Sequence, residues 1–241
     1  MVAPLSLGDG GTLALLPSGI WFALFPRVVG RSLQELDDSQ LMQIGRLLGR
    51  LHNVAAEKPA AARPILTPRD YGEPALAALL GSGFIAEPLR ARYARTAQAL
   101  LAAAAPRWEG VPLHRLHGDC HLGNLLWQNE RPFFLDFDDL VTGPAVQDVW
   151  MVVRGRDGEA VRQRELLLAG YEQMRRFDRR TLWLIEPLRG LRLIHYAAWI
   201  ARRFADPIFP LTFPQFPSHQ HWVSELSALQ ETLECLQDAE S

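Results

Sequence analysis

Lysine is almost absent from this chain of 241 residues. Lys58 is the only one, so arginine supplies nearly all of the basic side chains, and the net charge is −2 with histidine neutral. A chain so close to neutrality has no general electrostatic attraction for nucleic acid or for an anionic membrane surface. We therefore predict that neither is a partner.

Cysteine and long apolar runs are scarce as well. Cys120 and Cys235 lie far apart and give no disulfide framework, which is typical of a reducing compartment. Residues 1–10 lack the basic segment and apolar run of a signal peptide. The longest apolar stretches, such as 194–200, are too short to span a bilayer. Together these features predict a cytoplasmic protein.

The most informative feature that is present is the segment 117–124, which reads HGDCHLGN. The catalytic loop of protein kinases contains an Asp with an Asn five residues later, and a metal-binding Asp follows at the end of a strand. Asp119 and Asn124 have this spacing, and Asp136 follows the apolar stretch 133–135. The pattern indicates phosphoryl transfer from Mg·ATP.

The spacing has a chemical reason. Phosphoryl transfer needs a carboxylate that orients the attacking hydroxyl and accepts its proton, and it needs oxygen ligands for Mg²⁺. A five-residue loop can place Asp119 at the nucleophile and return the Asn124 amide to the metal. Residues 125–127 and 133–136 are predicted to form a hairpin that brings Asp136 to the same metal. The predicted cofactors are therefore ATP and Mg²⁺.

The histidines of this segment allow a second interpretation. His117, Asp119 and His121 alternate, as metal ligands on a strand do in some zinc or manganese hydrolases. Gly118 and Gly123 favour a loop instead, and no second histidine cluster follows. On the kinase interpretation, we expect His117 to anchor the catalytic loop by packing. His121 is then a candidate contact for phosphate or substrate.

Apolar periodicity predicts helices on both sides of the loop. Asp38 or Ser39 is expected to cap a helix that ends at His52, and residues 57–73 are expected to be a loop. The apolar face of this helix comprises Leu41, Ile44, Leu48 and Leu51. Later helices are predicted over 87–105, 159–177, 180–204 and 222–238.

The sequence also allows structural roles for Asp148, which follows the loop, and for Cys120, which lies within it. Gln147 and Asp148 begin a further predicted helix, in which Asp148 either holds the catalytic loop through backbone amides or only caps the helix. Cys120 is interpreted as a small apolar filler, because a nucleophilic role would need a histidine base and an oxyanion hole.

These motifs resemble those of the aminoglycoside phosphotransferase and choline kinase superfamily, whose loop reads H-G-D-x-x-x-x-N before a strand ending in D-x-D. Asp136 and Asp138 match the latter pattern. Residues 143–151, 185–189 and 199–207 are similar to a branch of bacterial Ser/Thr protein kinases of the stress-response type. The resemblance extends from about Val2 to Trp222. It implies an α+β, protein-kinase-like fold, with a mainly helical C-terminal lobe and remnant β strands of the N-terminal lobe.

The resemblance also implies a role for each matching residue. Asp119 is expected to be the catalytic base, with Asn124 and Asp136 as Mg²⁺ ligands. Residues 23–26 correspond to the hinge between the two lobes, where backbone groups meet the adenine. The expected adenine contacts are Ala23, Leu24 and Phe25. The expected supporting residues are His117, His121, Asp138 and Asp148. The predicted domains are 1–34, the remnant of the N-terminal lobe with the hinge, and 35–241, the helical catalytic lobe.

The chain departs from the family pattern at its beginning. A complete kinase lobe carries a Gly-rich phosphate loop, a strand lysine and a helical Glu partner, and all of these would precede Met1. Lys58 follows a helix in a loop rich in Pro and Ala, so it does not replace the strand lysine. We therefore expect a truncated kinase chain that is weakly active or inactive by itself.

Three functions remain open at this level. The leading one is a Ser/Thr protein kinase with a protein substrate, and the second is a kinase for a small molecule such as an aminoglycoside, choline or an amino alcohol. The third is a non-catalytic binding module, in which apolar surface around 13–25 contacts a partner. The oligomeric state is not predicted.

Overall fold

The structure, a computed structural model, describes residues 2–8 and 10–238. These residues form two compact units, each built from three separate stretches of the chain. The first unit comprises the described parts of Met1–Val54, with His117–Leu140 and Asp148–Phe177. The second comprises Ala55–Leu116, Val141–Gln147 and the described part of Asp178–Ser241.

Helices dominate the described chain. The α-helices are α1 (Asp38–Ala56), α2 (Glu73–Gly81), α3 (Leu89–Ala104), α4 (Val146–Val152), α5 (Gly158–Glu172), α6 (Ile185–Arg203), α7 (Ile208–Thr212) and α8 (His219–Asp238). Short 3₁₀ segments occupy Ala105–Trp108, Leu122–Asn124 and Arg179–Leu184, and Pro68–Gly72 forms one π-helical turn.

The strands are short and form three antiparallel pairs. They are β1 (Ala14–Leu15), β2 (Trp21–Phe22), β3 (His114–Leu116), β4 (Leu125–Gln128), β5 (Arg131–Phe134) and β6 (Val141–Gly143). β1 pairs with β2, β3 with β6, and β4 with β5. The β4–β5 pair confirms the predicted hairpin, with Leu125 opposite Phe134 and Gln128 opposite Arg131.

The start of α1 differs from the sequence-based expectation. The capping residue is Asp37 rather than Asp38 or Ser39, because Asp37 Oδ1 accepts a hydrogen bond from Gln40 N at 2.8 Å. Gln40 Oε1 in turn accepts from Asp37 N at 2.9 Å, which completes a reciprocal capping box. Of the predicted apolar face, Leu41, Ile44 and Leu48 are buried, whereas Leu51 is only partly buried.

Two glycines let α1 and α5 pack closely in the first unit. A Cβ atom on Gly45 would overlap the carbonyl oxygen of Leu167, and one on Gly170 would overlap the carbonyl oxygen of Met42. Backbone therefore meets backbone at this crossing, and neither position has room for a side chain. The contact fixes α1 against α5 along the face that also carries His52.

The second unit has its own core, where α3 and α6 both pack against α8, and α2 packs against α6. Tyr93, Leu100, Leu191 and Trp222 are fully buried there. Gly190 allows a close contact, because an added Cβ would meet the side chain of Leu100 at 2.6 Å. This core is built from helix faces rather than from a sheet.

Several predicted boundaries were wrong. The expected loop at 57–73 contains the π-helical turn Pro68–Gly72, begun by Thr67, whose side chain accepts from Asp70 N. The helix predicted to reach 177 ends at Glu172, and the helix predicted from 180 begins as a 3₁₀ segment and becomes α6 at Ile185. No helix in the described part of the chain is long and apolar enough to cross a membrane.

Gly45→Ala tests the helix crossing. We expect the free energy of unfolding to fall by about 1–3 kcal/mol, because the new methyl group overpacks against backbone that cannot rotate away. Gly81→Ala, at the end of α2, is the matched control, since an added Cβ there meets nothing within 4 Å. Urea unfolding of both variants measures the difference, and equal stabilities would contradict the close crossing.

Candidate active site

The segment 117–124 forms a loop between β3 and the hairpin β4–β5. β3 leads directly into His117, and the loop ends in the 3₁₀ turn Leu122–Asn124 before Leu125 begins β4. Gly118 has a positive φ of 90°, a conformation in which a side chain would be strained. The glycine that favoured a loop in the sequence is therefore required by the backbone here.

Asp148 holds this loop through its backbone. Its Oδ2 accepts from the backbone N–H of His117 at 2.9 Å, and its Oδ1 accepts from Gly118 N at 2.9 Å. The carboxylate lies in the first turn of α4 and is fully buried. Of the two roles left open by the sequence, the structure shows contact with the backbone of the 117–124 loop.

His52 is a residue whose connection to the site the sequence did not reveal. Its Nε2 lies 3.0 Å from Asp148 Oδ2, and its Nδ1 lies 2.9 Å from the Tyr171 hydroxyl, in a fully buried environment. Since Nε2 faces a carboxylate, it carries the proton and donates, which leaves Nδ1 to accept from the tyrosine. The only sequence signal was a histidine on the buried face of α1.

The ionisation of Asp148 follows from these contacts. Burial favours the neutral carboxyl, but the hydrogen bond from His52 opposes it, together with the hydrogen bond from the Gly118 amide. The balance holds the pKa of Asp148 below its ordinary value of 3.8. The carboxylate is therefore ionised at neutral pH, and donors from three places share its charge.

His117 connects the loop to the end of the hairpin. Its Nε2 donates to the carbonyl oxygen of Leu135 at 2.7 Å, and its Nδ1 accepts from Asp119 N at 3.3 Å. The ring lies between Phe134 and Phe137, with ring centroids 5.4 and 4.4 Å away. These contacts join the loop to the end of β5, and the anchoring role of His117 stays a prediction.

Asp119 and Asn124, the predicted base and metal ligand, are in contact. Asn124 Nδ2 donates to the backbone oxygen of Asp119 at 3.1 Å and approaches its Oδ2 at 3.4 Å. His121 Nδ1 accepts from Gly123 N, so the neutral ring carries its proton on Nε2, which lies 3.2 Å from Asp119 Oδ2. Both neighbours thus present N–H groups to Asp119. The amide oxygen of Asn124 takes no part in these contacts.

The backbone just before Asp136 is hydrogen-bonded to the loop that carries Asp119 and Asn124. Leu135 N donates to the backbone oxygen of Asn124 at 2.9 Å, so the residue before Asp136 is fixed to the end of the loop. Asp136 is exposed and has a φ of 58°, in the left-handed region that non-glycine residues rarely adopt. Such strain persists where surrounding structure imposes it, and it is frequent at functional sites.

A pocket of about 190 Å³ lies beside Asp136. Its walls are apolar and come from the hairpin end, including Phe137, and from the segment around Phe25. That segment continues to Arg31, which pairs with Trp127 of β4 through two backbone hydrogen bonds of 2.9 and 3.0 Å. The other predicted adenine contacts do not line this pocket: Leu24 is exposed, and its carbonyl accepts from Leu5 N, while Ala23 precedes it.

The possible metal ligands are few. Across residues 2–8 and 10–238, no three His, Cys, Asp or Glu side chains come together as a metal site. The candidate donors are the carboxylate of Asp136 and the amide oxygen of Asn124. These hard oxygen donors fit Mg²⁺, which takes one or two protein ligands and completes its shell with phosphate oxygens and water. Asp138 lies in the exposed turn 137–140.

Two solved structures with the same fold are named as kinases of small molecules. A microcompartment-associated aminopropanol kinase has a TM-score of 0.65 at 17% identity, covering 98% of this chain and 74% of its own. The amicoumacin kinase hAmiN, in complex with AMP-PNP, Ca²⁺ and Ami, has a TM-score of 0.64 at 15% identity, covering 90% and 70%. At these identities the likeness establishes the fold class, which is kinase-like as predicted.

Residues 3–183 match the sequence profile of the phosphotransferase enzyme family, and the chain belongs to that family. It is 37% identical over 239 residues to stress response kinase A of Escherichia coli K12, covering 99% of this chain and 72% of that protein. It is 37% identical over 246 residues to the serine/threonine protein kinase RdoA of Salmonella typhimurium LT2, with the same coverage. The predicted enzyme class, a kinase, is confirmed.

Asp148→Asn tests the support of the loop. An amide cannot offer acceptors at both positions, so we expect a cost of about 1–3 kcal/mol for each donor left unsatisfied. Because the folded pKa is lowered, this contribution is present above pH 3.8 and is lost as the pH falls through the folded pKa. Urea unfolding at several pH values should show a constant deficit near neutrality that narrows in acid.

The matched control for that substitution is Asp157→Asn. Asp157 caps α5 by accepting from Ala160 N at 2.8 Å, and Asn caps a helix about as well as Asp. We expect little change in its unfolding midpoint. A deficit of equal size in both variants would show that Asp148 has no special structural role.

Thiol labelling tests the environment of Cys120. Burial, reinforced by the charge and hydrogen bond of Asp148, raises the pKa of this thiol well above its usual range, and the side chain is fully buried. Cys235 is partly exposed. A chromogenic disulfide reagent should therefore label one thiol per native chain and two after denaturation. Rapid native labelling of the Cys235→Ser variant would contradict this arrangement.

Proposed function

We propose that this chain is the catalytic part of an ATP-dependent protein kinase that phosphorylates Ser or Thr hydroxyl groups. The observation that carries the proposal is the contact between Asp119 and Asn124, held beside Asp136 by the Leu135–Asn124 hydrogen bond. These are the residue types and the order that phosphoryl transfer requires. The identity to relatives named as a stress response kinase and a serine/threonine kinase supports the choice of acceptor.

In this proposal Asp119 orients the acceptor hydroxyl and takes its proton as the hydroxyl oxygen bonds to the γ-phosphorus and ADP departs. The N–H groups of His121 and Asn124 near Oδ2 fix the rotation of the Asp119 carboxylate. Such fixation leaves the other oxygen at a defined position, and orientation of this kind supplies much of the rate in phosphoryl transfer.

Asn124 and Asp136 are proposed to hold Mg²⁺, which neutralises charge on the phosphates when bound. The direction of the Asn124 amide supports this, because its nitrogen faces Asp119 and its oxygen is left for the cation. We assign the adenine to the apolar pocket beside Asp136, where Phe25 provides the contact from the proposed hinge. Asp138 and His117 then support the loop and the strand end.

The division into 1–34 and 35–241 remains our proposal for the functional lobes. A cytoplasmic location is proposed as well, because Cys120 and Cys235 are both free thiols. Protein is the proposed substrate, and neither nucleic acid nor membrane is a proposed partner.

A small-molecule kinase is the second candidate. Its support is the likeness in fold to the amicoumacin and aminopropanol kinases. The spectinomycin phosphotransferase APH(9)-Ia is also similar in fold, with a TM-score of 0.63 at 14% identity, and the match covers 100% of this chain and 77% of the phosphotransferase. Phosphate transfer to casein, compared with transfer to spectinomycin, choline and 1-amino-2-propanol, separates the two. Transfer to an amino alcohol alone would overturn the protein-kinase proposal.

Two substitutions distinguish the role proposed for the base from the role proposed for the metal ligands. We expect Asp119→Ala to lower the rate of phosphate transfer by roughly 10²–10⁴-fold, because a positioned base contributes about this much, while nucleotide binding persists. Asp136→Ala should instead abolish the Mg²⁺-dependent part of ATP binding. Calorimetry with and without Mg²⁺ measures binding, and transfer of labelled phosphate to casein measures the rate.

Asp238→Ala is the matched control, because Asp238 is exposed at the end of α8. It should leave both readouts unchanged. Unaltered Mg²⁺ dependence in the Asp136→Ala variant would contradict the metal assignment, even if the wild-type transfer rate is low.

A further inference from the structure

The exposed side of α6, in the second unit, carries an excess of positive charge. Between Glu186 and Glu225 the chain contains four arginines and a single acid, Asp206, although the net charge of the whole chain is −2. Arg202 and Arg203 lie in the last turn of α6, and both are exposed. None of these residues belongs to the proposed catalytic set.

These two arginines form no ion pair across residues 2–8 and 10–238. Arg202 Nη2 donates to the carbonyl oxygen of Pro74 at 3.4 Å, and the guanidinium carbon of Arg203 lies 4.8 Å from the centre of the Trp199 ring. Asp206 instead caps α7, where its Oδ1 accepts from the first amide of that helix at 3.1 Å. Since a guanidinium group has five N–H donors, most of the donors of both side chains face no acceptor of the described chain.

A third arginine lies on the same side of α6, about three turns earlier. Arg192 precedes Trp199 by seven residues and Arg203 by eleven, and both intervals are close to whole turns of an α-helix. Its guanidinium carbon lies 5.7 Å from the centre of the Tyr196 ring, which stacks on Trp199. Aromatic rings therefore support the guanidinium groups at both ends of this row.

His195 lies in the electric field of the same three arginines. Its ring stacks on Tyr71 of the π-helical turn, with the ring centroids 3.9 Å apart. Burial lowers the pKa of His195 to about 4, and the charges of Arg202, Arg192 and Arg203 act in the same direction. Like charges that lie this close together repel one another, so a partner with negative charge would stabilise the arrangement.

Exposed apolar side chains border the arginines. Phe209 of α7 packs against Trp199 with the ring centroids 5.1 Å apart, which places α7 beside the end of α6. On α7, Ile208 and Leu211 are exposed. Nucleic-acid binding relies on phosphate contacts, roughly 6–10 in a salt-sensitive complex, whereas protein interfaces combine arginine with aromatic and apolar side chains. Three cations beside apolar side chains therefore fit a polypeptide.

We propose that this surface of α6 and α7 is a docking site for an acidic segment of a protein partner. Carboxylates of the segment accept from Arg202 and Arg203, and its apolar side chains pack against Ile208 and Leu211. Carboxylates suit guanidinium groups, because the two planar groups can share two parallel hydrogen bonds. Such docking does not depend on phosphate transfer; under the proposed kinase function, on which this one step rests, the partner is the protein substrate.

The experiment measures the binding of two short fluorescent peptides to the full chain by anisotropy. In one peptide, pairs of glutamates alternate with single leucines, and in the other glutamine replaces every glutamate. We expect the acidic peptide to bind roughly tenfold more tightly at low salt, since each of two or three exposed ion pairs contributes a factor of a few. Raising the salt to about 0.5 M should remove most of this difference, because exposed charges are screened. Equal binding of the two peptides at low salt would overturn the proposal.

A double substitution locates the binding site. Arg202→Gln combined with Arg203→Gln should reduce the affinity for the acidic peptide to that for the glutamine peptide. Arg92→Gln combined with Arg95→Gln is the matched control, because it removes the same charge from exposed positions of α3 in the same unit. The control should leave the affinity unchanged. A loss of equal size in both double variants would assign the binding to net charge and contradict a docking site on α6.

A measurement on the unmodified chain decides the question if the double variant of α6 fails to fold. In an amide NMR spectrum the indole N–H signal of Trp199 should shift on addition of the acidic peptide and not of the glutamine peptide, since Arg203 lies over this ring. The indole signal of Trp127, in β4, should not shift. An unchanged Trp199 signal in the presence of saturating acidic peptide would show that the peptide binds elsewhere.

Two further comparisons address the class of partner and the link to the proposed function. A single-stranded oligonucleotide with the same net charge should bind more weakly than the acidic peptide. Tighter binding of the oligonucleotide, lost in the double variant of α6, would overturn the assignment to a polypeptide. Asp136→Ala should retain peptide binding, so failure of the docking site is distinguishable from failure of the proposed kinase function.

Discussion

The arrangement of the candidate active site depends on one buried carboxylate, that of Asp148. Removing an ion of this kind from water costs several kcal/mol, and only excellent hydrogen bonding offsets the loss. His52 and the amides of His117 and Gly118 supply that bonding. The 117–124 loop is consequently bound to α1 and α4 through the same charge, and moving the loop away would remove two of the hydrogen-bond donors of the carboxylate.

Further hydrogen bonds connect the rest of the site to Asp148. His117, held by its backbone to Asp148, uses its ring to fix Leu135, and Leu135 donates to the end of the loop. Asp136, the residue that follows this doubly bound Leu135, has a positive φ of 58°. Rigid support of this kind keeps the proposed base and the proposed metal ligands at fixed separations.

Features that depend on residues close together in the chain could be predicted from the sequence. The contact of Asp119 with Asn124 and the β4–β5 hairpin both lie within short stretches, and a spacing or a turn determines them. Sequence reasoning failed where partners are distant, because His52 meets Asp148 across 96 positions and no local pattern marks either as half of a pair. It also failed at helix ends, where Asp37 rather than its neighbours caps α1, since several adjacent polar residues could satisfy the same amides.

Two acids, the fully buried Asp148 and the partly buried Glu225, have opposite electrostatic surroundings. Asp148 is surrounded by donors, which lower its pKa despite burial, and its charge is used entirely within the protein. Burial raises the pKa of Glu225, and the adjacent His221 has a buried nitrogen with no partner in the described residues. A compensated acid stabilises a fold, whereas an uncompensated one lowers stability unless something else supplies the donor.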